Sequence, residues 1–258
     1  MNADRSDSPG PAGAAPPGPV RELAERGFAV LPGLLGPEQV SVLNVAAGRF
    51  WRQRGAARQG YLQAFDLFAL DEAFMVVLDV SPVLEAVRTA LGENVSVYHS
   101  HLTGTGHNVE DPRQFRYRWH QDAKAVVADL GRAGRPPCVS VKAGFFLTDV
   151  PRADHGATVF LPGTHLRDPG AGLPDPFPVV GPAGTCVLFD NRTWHSRGPN
   201  VSSRIRFCAY VAYGYRWLQN RDSWHGAGCV LDAATLTARQ RFLLGHADSP
   251  RERHSAQP

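Results

Sequence analysis

The chain has few cysteines, little net charge and no long apolar run. Its 258 residues include four cysteines without a Cys-x-x-Cys pair, so neither a zinc site nor a disulfide framework is expected. Scattered thiols favour a reducing compartment, and we expect a cytoplasmic protein. The formal net charge of +3 is small and evenly spread, which argues against binding to nucleic acid or to a membrane surface. No run of about 18 apolar residues is present, so no transmembrane helix is expected.

Several common catalytic motifs are also missing. There is no Gly-x-Ser-x-Gly elbow, which argues against the serine hydrolases that use one. Glycine-rich pieces such as residues 104–106 do not match a phosphate-binding loop, so a nucleotide site is not supported. The N-terminus lacks a basic segment followed by an apolar one, so we expect no secretory signal.

One group of residues does indicate chemistry: His120 and Asp122, followed much later by His195. Two neutral imidazoles and one carboxylate can hold one face of an octahedral metal and leave the other face open, as in non-heme Fe(II) oxygenases. Residues two apart in an extended segment point to the same side, so His120 and Asp122 can reach one ion. The triplet alone is weak, because a core histidine beside a surface carboxylate has the same pattern. A second copy, residues 246–248, lies in a polar tail and is interpreted as coincidental.

Arg206 follows His195 in a segment rich in strand-forming residues. Oxygenases of this kind usually bind a 2-oxo acid through the metal, and the far carboxylate of that acid then needs a fixed cation. Arginine suits this role because its planar fork can pair with both carboxylate oxygens. Arg204 has the same strand parity as Arg206, so alternation alone does not choose between them.

Several blocks of the sequence resemble the phytanoyl-CoA dioxygenase family, in the right order and with plausible gaps. They are residues 119–122, 146–150, 156–158, 161–165 and 184–190, followed by His195, Asn200, Ser202 and Arg206. The resemblance implies that His120, Asp122 and His195 bind Fe(II). It also implies that Arg206 holds the distal carboxylate of 2-oxoglutarate, which leaves Arg204 as a weak candidate for the same role.

The resemblance further implies a double-stranded β-helix, a cupin-like jelly roll, with helices packed outside it. The residues themselves predict a mainly β protein, because the apolar period shifts towards two near residue 95 and turn-rich loops separate short segments. The predicted strands are residues 28–31, 95–102, 115–120, 138–149, 157–161, 185–189 and 204–215, with a last helix within residues 231–245. We expect a disordered lead over residues 1–19, one oxygenase domain over residues 20–246 and a flexible tail over residues 247–258.

The function that the resemblance implies is that of an Fe(II)- and 2-oxoglutarate-dependent dioxygenase. Such an enzyme uses O2 to hydroxylate an aliphatic carbon of a small molecule and releases succinate and CO2, with ascorbate as a possible supporting reductant. Desaturation, epimerisation and cyclisation use the same ligands and stay open. In related halogenases a small residue occupies the position of Asp122, so the carboxylate favours hydroxylation. A non-catalytic jelly-roll binding protein is the alternative of another class, and a metal-dependent hydrolase is a weaker one.

A few further residues are open to two interpretations. Lys142 interrupts an apolar strand. It can extend to the surface or, sharing parity with Gly144, point into the pocket and contact a carboxylate, which makes it a weak candidate for binding the cosubstrate. His99, His101 and His107 precede the metal segment and are candidates for the substrate mouth, although solvated loop histidines fit the same pattern. Many family members have tryptophan near Gly144, so the wall beside the 2-oxo acid is expected to differ here. The substrate, any carrier for it and the oligomeric state are not readable from the sequence.

Overall fold

The structure is a computed structural model that describes residues 18–55, 60–131, 135–167, 172–222 and 235–246. Most of the predicted disordered lead and the whole predicted tail lie outside these ranges. Helix α1 begins at Gly18, so the last two residues of the predicted lead are helical. No helix within these ranges is both long and apolar enough to cross a bilayer.

Six α-helices lie within the described residues, four of them before residue 92. They are α1 (Gly18–Arg26), α2 (Pro37–Gln53), α3 (Leu67–Leu70), α4 (Ser81–Leu91), α5 (Lys124–Leu130) and α6 (Ala238–Leu243). Short 3-10 turns lie at Glu72–Val77, Pro112–Gln114 and Thr164–Leu166. Helix α2 begins at Pro37, whose missing N–H costs nothing in a first turn, and the Gly36 N–H donates to Gln39 Oε1 at 2.9 Å. Helix α5 was not predicted, and α6 is shorter than predicted.

Within the same described ranges, nine strands form two antiparallel sheets. They are β1 (Phe28–Leu31), β2 (Tyr61–Phe65), β3 (Val95–Thr105), β4 (Ser140–Phe146), β5 (Thr158–Phe160), β6 (Phe177–Val179), β7 (Cys186–Asp190), β8 (His195–Arg197) and β9 (Arg206–Tyr215). The larger sheet has the order β1-β7-β4-β9-β3-β2, and the smaller has the order β6-β5-β8. Strands β2, β6 and β8, each three to five residues long, were not predicted.

The larger sheet separates an outer apolar core from an inner, partly polar face. On β4, Ala143 and Phe145 belong to the core that packs beneath the helices, while Lys142 lines a cavity on the other side. On β9, Val211 faces the helices and Arg206 faces the cavity. The two-residue period of a strand therefore places both cations on the face that carries the site.

Strand β3 changes this alternation with a β-bulge. Val97 pairs with Tyr213 of β9, but the next pair joins His99 to Ala212, so Tyr98 is an extra residue. Val97 packs in the outer core, whereas Tyr98 and His99 both line the cavity. A bulge of this kind redirects the side chains that follow it. It brings His99 and His101 to the inner face.

The prediction of a strand over residues 115–120 is wrong. Only His120 forms a bridge, to His195 of β8. Before it, Phe115 packs edge-on against Tyr117 at 5.4 Å, and Tyr117 stacks on Trp119 at 4.9 Å between ring centroids. Aromatic residues at alternate positions resemble a strand in sequence, but within the described residues no second strand lies beside them to supply a hydrogen-bond ladder.

A cluster of aromatic rings helps to hold the two sheets together. Phe160 of β5 stacks on Phe28 of β1 with ring centroids 4.6 Å apart and meets Phe189 of β7 edge-on at 5.1 Å. All three rings are buried. Such contacts add to the free energy gained from burying the rings. They fix the small sheet against the large one beside the cavity.

Candidate metal centre

A cavity of about 660 Å³ opens between the two sheets. Its walls come from β2, β3, β4, β7 and β9 of the larger sheet and from β5 and β8 of the smaller one. The three predicted metal ligands line it, and so does Arg206. Residues far apart in the sequence therefore meet at one site.

His120, Asp122 and His195 lie close enough together to share one ion. One ligand atom of each lies within 4.8 Å of the others, and His195 Nε2 is 3.9 Å from Asp122 Oδ2. The backbone enforces this arrangement, since His120 and His195 exchange two N–H···O hydrogen bonds of 3.0 Å each. The Asp122 N–H donates to the carbonyl of Asn191 at 2.9 Å, which ties the carboxylate segment to the loop before β8.

Both histidines are oriented through their Nδ1 atoms. His120 Nδ1 lies 3.0 Å from the carbonyl oxygen of Arg118, and His195 Nδ1 lies 2.9 Å from that of Thr193. A carbonyl can only accept, so each Nδ1 carries a proton and donates it. Each Nε2 then offers a lone pair, as in metal-binding histidines whose other nitrogen is held by a carbonyl.

The environment keeps the buried His195 and the partly buried Asp122 in the protonation states that a metal requires, while His120 is exposed. Burial lowers the pKa of His195 to about 4, against the opposing effect of Asp122. Burial alone would raise the pKa of Asp122, but Lys142 and His195 outweigh it and hold that pKa well below its usual range. At neutral pH the pair therefore presents a neutral imidazole and a carboxylate.

Lys142 points into the cavity and pairs with the carboxylate. Its Nζ lies 2.6 Å from Asp122 Oδ2, and the lysine is only 7% exposed. Of the two orientations left open by the sequence, the structure has the inward one, while the weak assignment of Lys142 to the cosubstrate stays a prediction. The partner is Asp122 itself, so Lys142 neutralises the triad in the metal-free protein.

Arg206 is buried at another part of the cavity without a carboxylate partner. It is 4% exposed, and among the described residues it forms no ion pair. Its guanidinium donates only to hydroxyls: Nη2 to Thr158 Oγ1 at 2.5 Å and to Tyr210 OH at 3.2 Å, and Nη1 to Thr103 Oγ1 at 3.3 Å. Nε is buried and has no hydrogen-bond partner in the part of the chain that the structure describes. A buried charge without a counter-ion is costly, so the site is built to receive an anion.

The turn before β9 sets the position of Arg206. Asn200 is fully buried, and its Nδ2 donates to the carbonyls of Thr105 at 2.8 Å and Arg204 at 2.9 Å. Its Oδ1 accepts from Ser202 N at 3.0 Å and from Ser202 Oγ at 2.6 Å. The conformation of this turn starts β9 in the register that brings Arg206 opposite Thr105. Arg204 is exposed outside the cavity, so the structure places it away from the weak role considered for it.

Gly144 leaves room for a tyrosine in the wall where many family members have tryptophan. A Cβ at this glycine would lie 2.6 Å from Cε1 of Tyr210 and 3.3 Å from Cγ1 of Val187. The Tyr210 ring therefore occupies the space that a side chain at position 144 would take. Its hydroxyl bonds both Thr158 and Arg206, so the substitution gives the guanidinium a polar neighbour.

The three histidines considered for the substrate mouth separate into two groups. His99 and His101 line the cavity, whereas His107 lies outside it and contacts Glu110 at 3.1 Å. Sequence reasoning missed the polar residues that support them and Arg206, namely Thr103, Thr158, Tyr210 and Asp222. Only the β parity of Thr158 and Tyr210 could have indicated an inward position, because nothing marks a hydroxyl as a cavity residue.

The residues of the cavity fit the metal and the 2-oxo acid that the sequence implies. Two Nε2 lone pairs and a carboxylate are the donor set of non-heme Fe(II) sites. The buried, uncompensated Arg206 guanidinium fits a carboxylate, which it can bind through two parallel N–H···O bonds. The cavity provides both features at once.

Comparison with known proteins gives three findings on sequence and fold. The sequence model described as phytanoyl-CoA dioxygenase matches residues 23–208, which include the triad and Arg206. An uncharacterised protein of Mycobacterium tuberculosis is 27% identical over 198 residues, covering 73% of this chain and 69% of its own length. Among solved structures, the epimerase SnoN in complex with Fe3+, alpha ketoglutarate and nogalamycin RO matches with a TM-score of 0.61 and 20% identity, over 76% of this chain and 82% of SnoN.

A second solved structure gives the same result for the fold. HygX from Streptomyces hygroscopicus, with nickel and 2-oxoglutarate bound, matches with a TM-score of 0.62 and 17% identity, over 78% of this chain and 87% of HygX. At this level of identity the likeness concerns the fold. The predicted fold class, a jelly roll with mainly antiparallel strands and flanking helices, is confirmed.

Proposed function

Because the chain belongs to the phytanoyl-CoA dioxygenase family, we propose that it is an Fe(II)- and 2-oxoglutarate-dependent dioxygenase that oxidises an aliphatic carbon of a small molecule. One observation carries this proposal. A His-Asp-His triad and a buried arginine without a counter-ion line the same cavity. Apolar residues would pack as well or better at these positions, so the charged and polar groups indicate a binding role.

We assign the metal to His120, Asp122 and His195, and the distal carboxylate of 2-oxoglutarate to Arg206. When bound, Fe(II) and 2-oxoglutarate together with O2 supply an oxidant for a C–H bond, with succinate and CO2 as the products of the cosubstrate. The carbonyls of Arg118 and Thr193 hold both imidazole Nε2 lone pairs in place for the metal. Thr158 and Tyr210 orient the guanidinium that receives the carboxylate.

The charge of the cavity supports an anionic cosubstrate. Among the described residues that line it, Asp122 is the one carboxylate, and Lys142 already neutralises it. The remaining cations are Arg118, Arg197, Arg206 and Arg221. A cleft lined by one sign of charge concentrates ligands of the opposite sign. A dicarboxylate such as 2-oxoglutarate is therefore attracted before it is bound.

The test is cosubstrate turnover in the absence of the main substrate. Purified protein with Fe(II), ascorbate and O2 should slowly convert 2-oxoglutarate to succinate, and Asp122→Ala should abolish this activity. A binding protein that kept only the fold would release no succinate. A metal-dependent hydrolase would consume no oxygen. Either result would contradict the proposal.

Epimerisation is the second candidate outcome, because SnoN is an epimerase and shares the fold. Hydroxylation and epimerisation use the same ligands and differ in where the substrate lies. Oxygen incorporation separates them: a hydroxylated product carries an atom from 18O2, whereas an epimerised product carries none. The carboxylate of Asp122 argues against halogenation, but it does not separate hydroxylation from epimerisation, because both use the same ligands.

A further inference from the structure

His99 lies on the cavity wall because of the bulge in β3. Without the extra residue Tyr98, the alternation that puts Val97 in the outer core would also put His99 there. Instead, His99 is 9% exposed and lines the cavity. The bulge therefore turns the His99 imidazole towards the cavity.

A buried carboxylate from the chain segment after β9 holds the ring. Asp222 Oδ1 lies 3.0 Å from His99 Nδ1, and Asp222 Oδ2 accepts from Ser100 Oγ at 2.5 Å. The Asp222 side chain has no exposed surface. The adjacent Arg221 N–H donates to the carbonyl of Tyr98 at 2.8 Å, which attaches the segment to the bulge itself. We refer to Asp222, His99 and Ser100 as the clasp.

The clasp determines which nitrogen of His99 remains available. The two carboxylate oxygens accept from the Ser100 hydroxyl and from His99 Nδ1, so Nδ1 carries a proton. Nε2 then forms no hydrogen bond with any described residue. A histidine held at Nδ1 by a carboxylate and open at Nε2 is the arrangement by which many enzymes present an imidazole to a substrate hydroxyl.

His99 lies in a row of rings on the cavity wall. His99 stacks on His101 with centroids 5.2 Å apart, and His101 stacks on Tyr210 at 4.8 Å. Phe65, which is 52% exposed, lies 5.5 Å from His99 at the outer end. All four residues line the cavity. A flat molecule can lie along such a wall through offset or edge-on ring contacts.

We infer that His99 Nε2 binds a hydroxyl of the substrate and that Asp222 is the positioning residue that fixes the imidazole for this contact. The inference rests on the proposed function and names its substrate class: a hydroxyl-bearing molecule with a flat portion that packs along Phe65 and the stacked histidines. A site built to pair with a hydroxyl discriminates strongly against an analogue without one, because its own polar atom is then left unpaired.

The test compares phenol with anisole, which has the same ring but no O–H to donate. Calorimetric titration of the protein loaded with Fe(II) and 2-oxoglutarate under argon should show at least about tenfold tighter binding of phenol. His99→Phe and Asp222→Ala should reduce this preference to about twofold or less. Asp222→Asn should retain at least about a threefold preference, because its amide oxygen can still accept from Nδ1.

The ratio of the two affinities is the informative quantity. General damage to the cavity weakens both probes alike, whereas loss of the Nε2 contact affects phenol alone. His107→Phe, at the histidine outside the cavity, is the matched control and should keep the full preference. Equal binding of phenol and anisole to the wild type, or an unchanged preference in His99→Phe, overturns the inference. Succinate release by the wild type is measured separately, so a failure of the proposed function would appear there and not in this ratio.

Discussion

Two buried cations line the same cavity, and they differ in whether a described residue serves as their counter-ion. Lys142 on β4 and Arg206 on β9 are 7% and 4% exposed, and both strands belong to the larger sheet. Lys142 Nζ lies 2.6 Å from the carboxylate of Asp122, whereas the hydrogen-bond partners of Arg206 among the described residues are only the hydroxyls of Thr158, Tyr210 and Thr103. The described residues supply a counter-ion to Lys142 but none to Arg206, so the guanidinium is free to bind an anionic ligand.

The difference shows which part of the site is tuned for stability and which for binding. A buried ion pair that loses one partner is strongly destabilised, since the other charge stays behind. An uncompensated cation has already lost that stabilisation, so removing it costs the fold little. Sites that sacrifice stability for function are common in enzymes. The predictions below use this contrast.

The largest effect is expected from Asp122→Ala. This change removes a proposed metal ligand and leaves Lys142 buried without a counter-ion. We expect Fe(II) affinity to fall at least about 100-fold, since even partners of metal ligands are worth about 10- to 100-fold. Metal titration under argon measures it. Asp248→Ala, in the other His-x-Asp triplet of the chain, is the matched control, and an equal loss there would break the assignment.

Arg206→Met should raise the KM for 2-oxoglutarate about 100-fold, which corresponds to about 3 kcal/mol of lost carboxylate binding. The free energy of unfolding in urea should stay the same or increase, because an unpaired buried charge disappears and Thr158 and Tyr210 still bond each other at 3.1 Å. Arg204→Met is the exposed neighbour for comparison and should change KM less than about twofold, as surface substitutions usually do. A large loss of stability in Arg206→Met would contradict the contrast between the two cations.

Lys142→Met should act in the opposite direction on stability. Asp122 would lose its counter-ion, so the free energy of unfolding of the metal-free protein should fall by about 3–5 kcal/mol. Fe(II) affinity should rise several-fold, because the metal no longer has to displace an ammonium group from the carboxylate. Urea unfolding and metal titration measure the two effects. If both Lys142→Met and Arg206→Met destabilise the metal-free protein equally, the two cations are not different in the way described.

A smaller effect is expected from Gly144→Ala. The added methyl group would lie 2.6 Å from Cε1 of Tyr210, so the ring must shift and its hydroxyl must move relative to Arg206. We expect a few-fold increase in the KM for 2-oxoglutarate, with kcat of the uncoupled reaction much less affected. Gly172→Ala, at a glycine where an added Cβ meets nothing within 4 Å, is the control. An unchanged KM would show that Tyr210 does not position the guanidinium.

The smallest effect concerns pH. Burial raises the pKa of Asp222, although hydrogen bonds from His99 and Ser100 oppose it. A carboxyl whose pKa is higher in the folded than in the unfolded state stabilises the fold below the unfolded pKa and loses that contribution as pH rises through the folded pKa. From about pH 4 upward, the wild type should therefore lose stability relative to Asp222→Asn, which does not titrate. Urea unfolding at several pH values measures the difference; a gain by the wild type would contradict the sign.

That the triad and Arg206 line one cavity was predictable, because each of them lies within a recognisable local pattern. His120 and Asp122 are two residues apart, and Arg206 follows His195 at the spacing of the family. Parity with Gly144 made the inward direction of Lys142 one of two interpretations, and it did not identify the partner. The alternation of apolar and polar residues describes one strand at a time and does not indicate which strands face one another.

The parts that were missed depend on irregular or long-range features. The bulge at Tyr98 reverses the parity of His99, and no residue type marks its position. Asp222 reaches His99 from more than a hundred residues away in sequence. The aromatic alternation at residues 115–120 predicted a strand that lacks a partner strand. Short strands such as β8 carry too few residues for a period to be detected.

The most direct test of the account measures 2-oxoglutarate binding by calorimetry in the presence and absence of Mn(II), a metal used here in place of iron because it does not turn over. If one molecule of 2-oxoglutarate joins the triad to Arg206, the wild type should bind it at one site per chain and lose about 100-fold in affinity without metal. Asp122→Ala and Arg206→Met should show the same loss with metal present. Equal affinity in the wild type and both variants, with or without metal, would contradict the central claim.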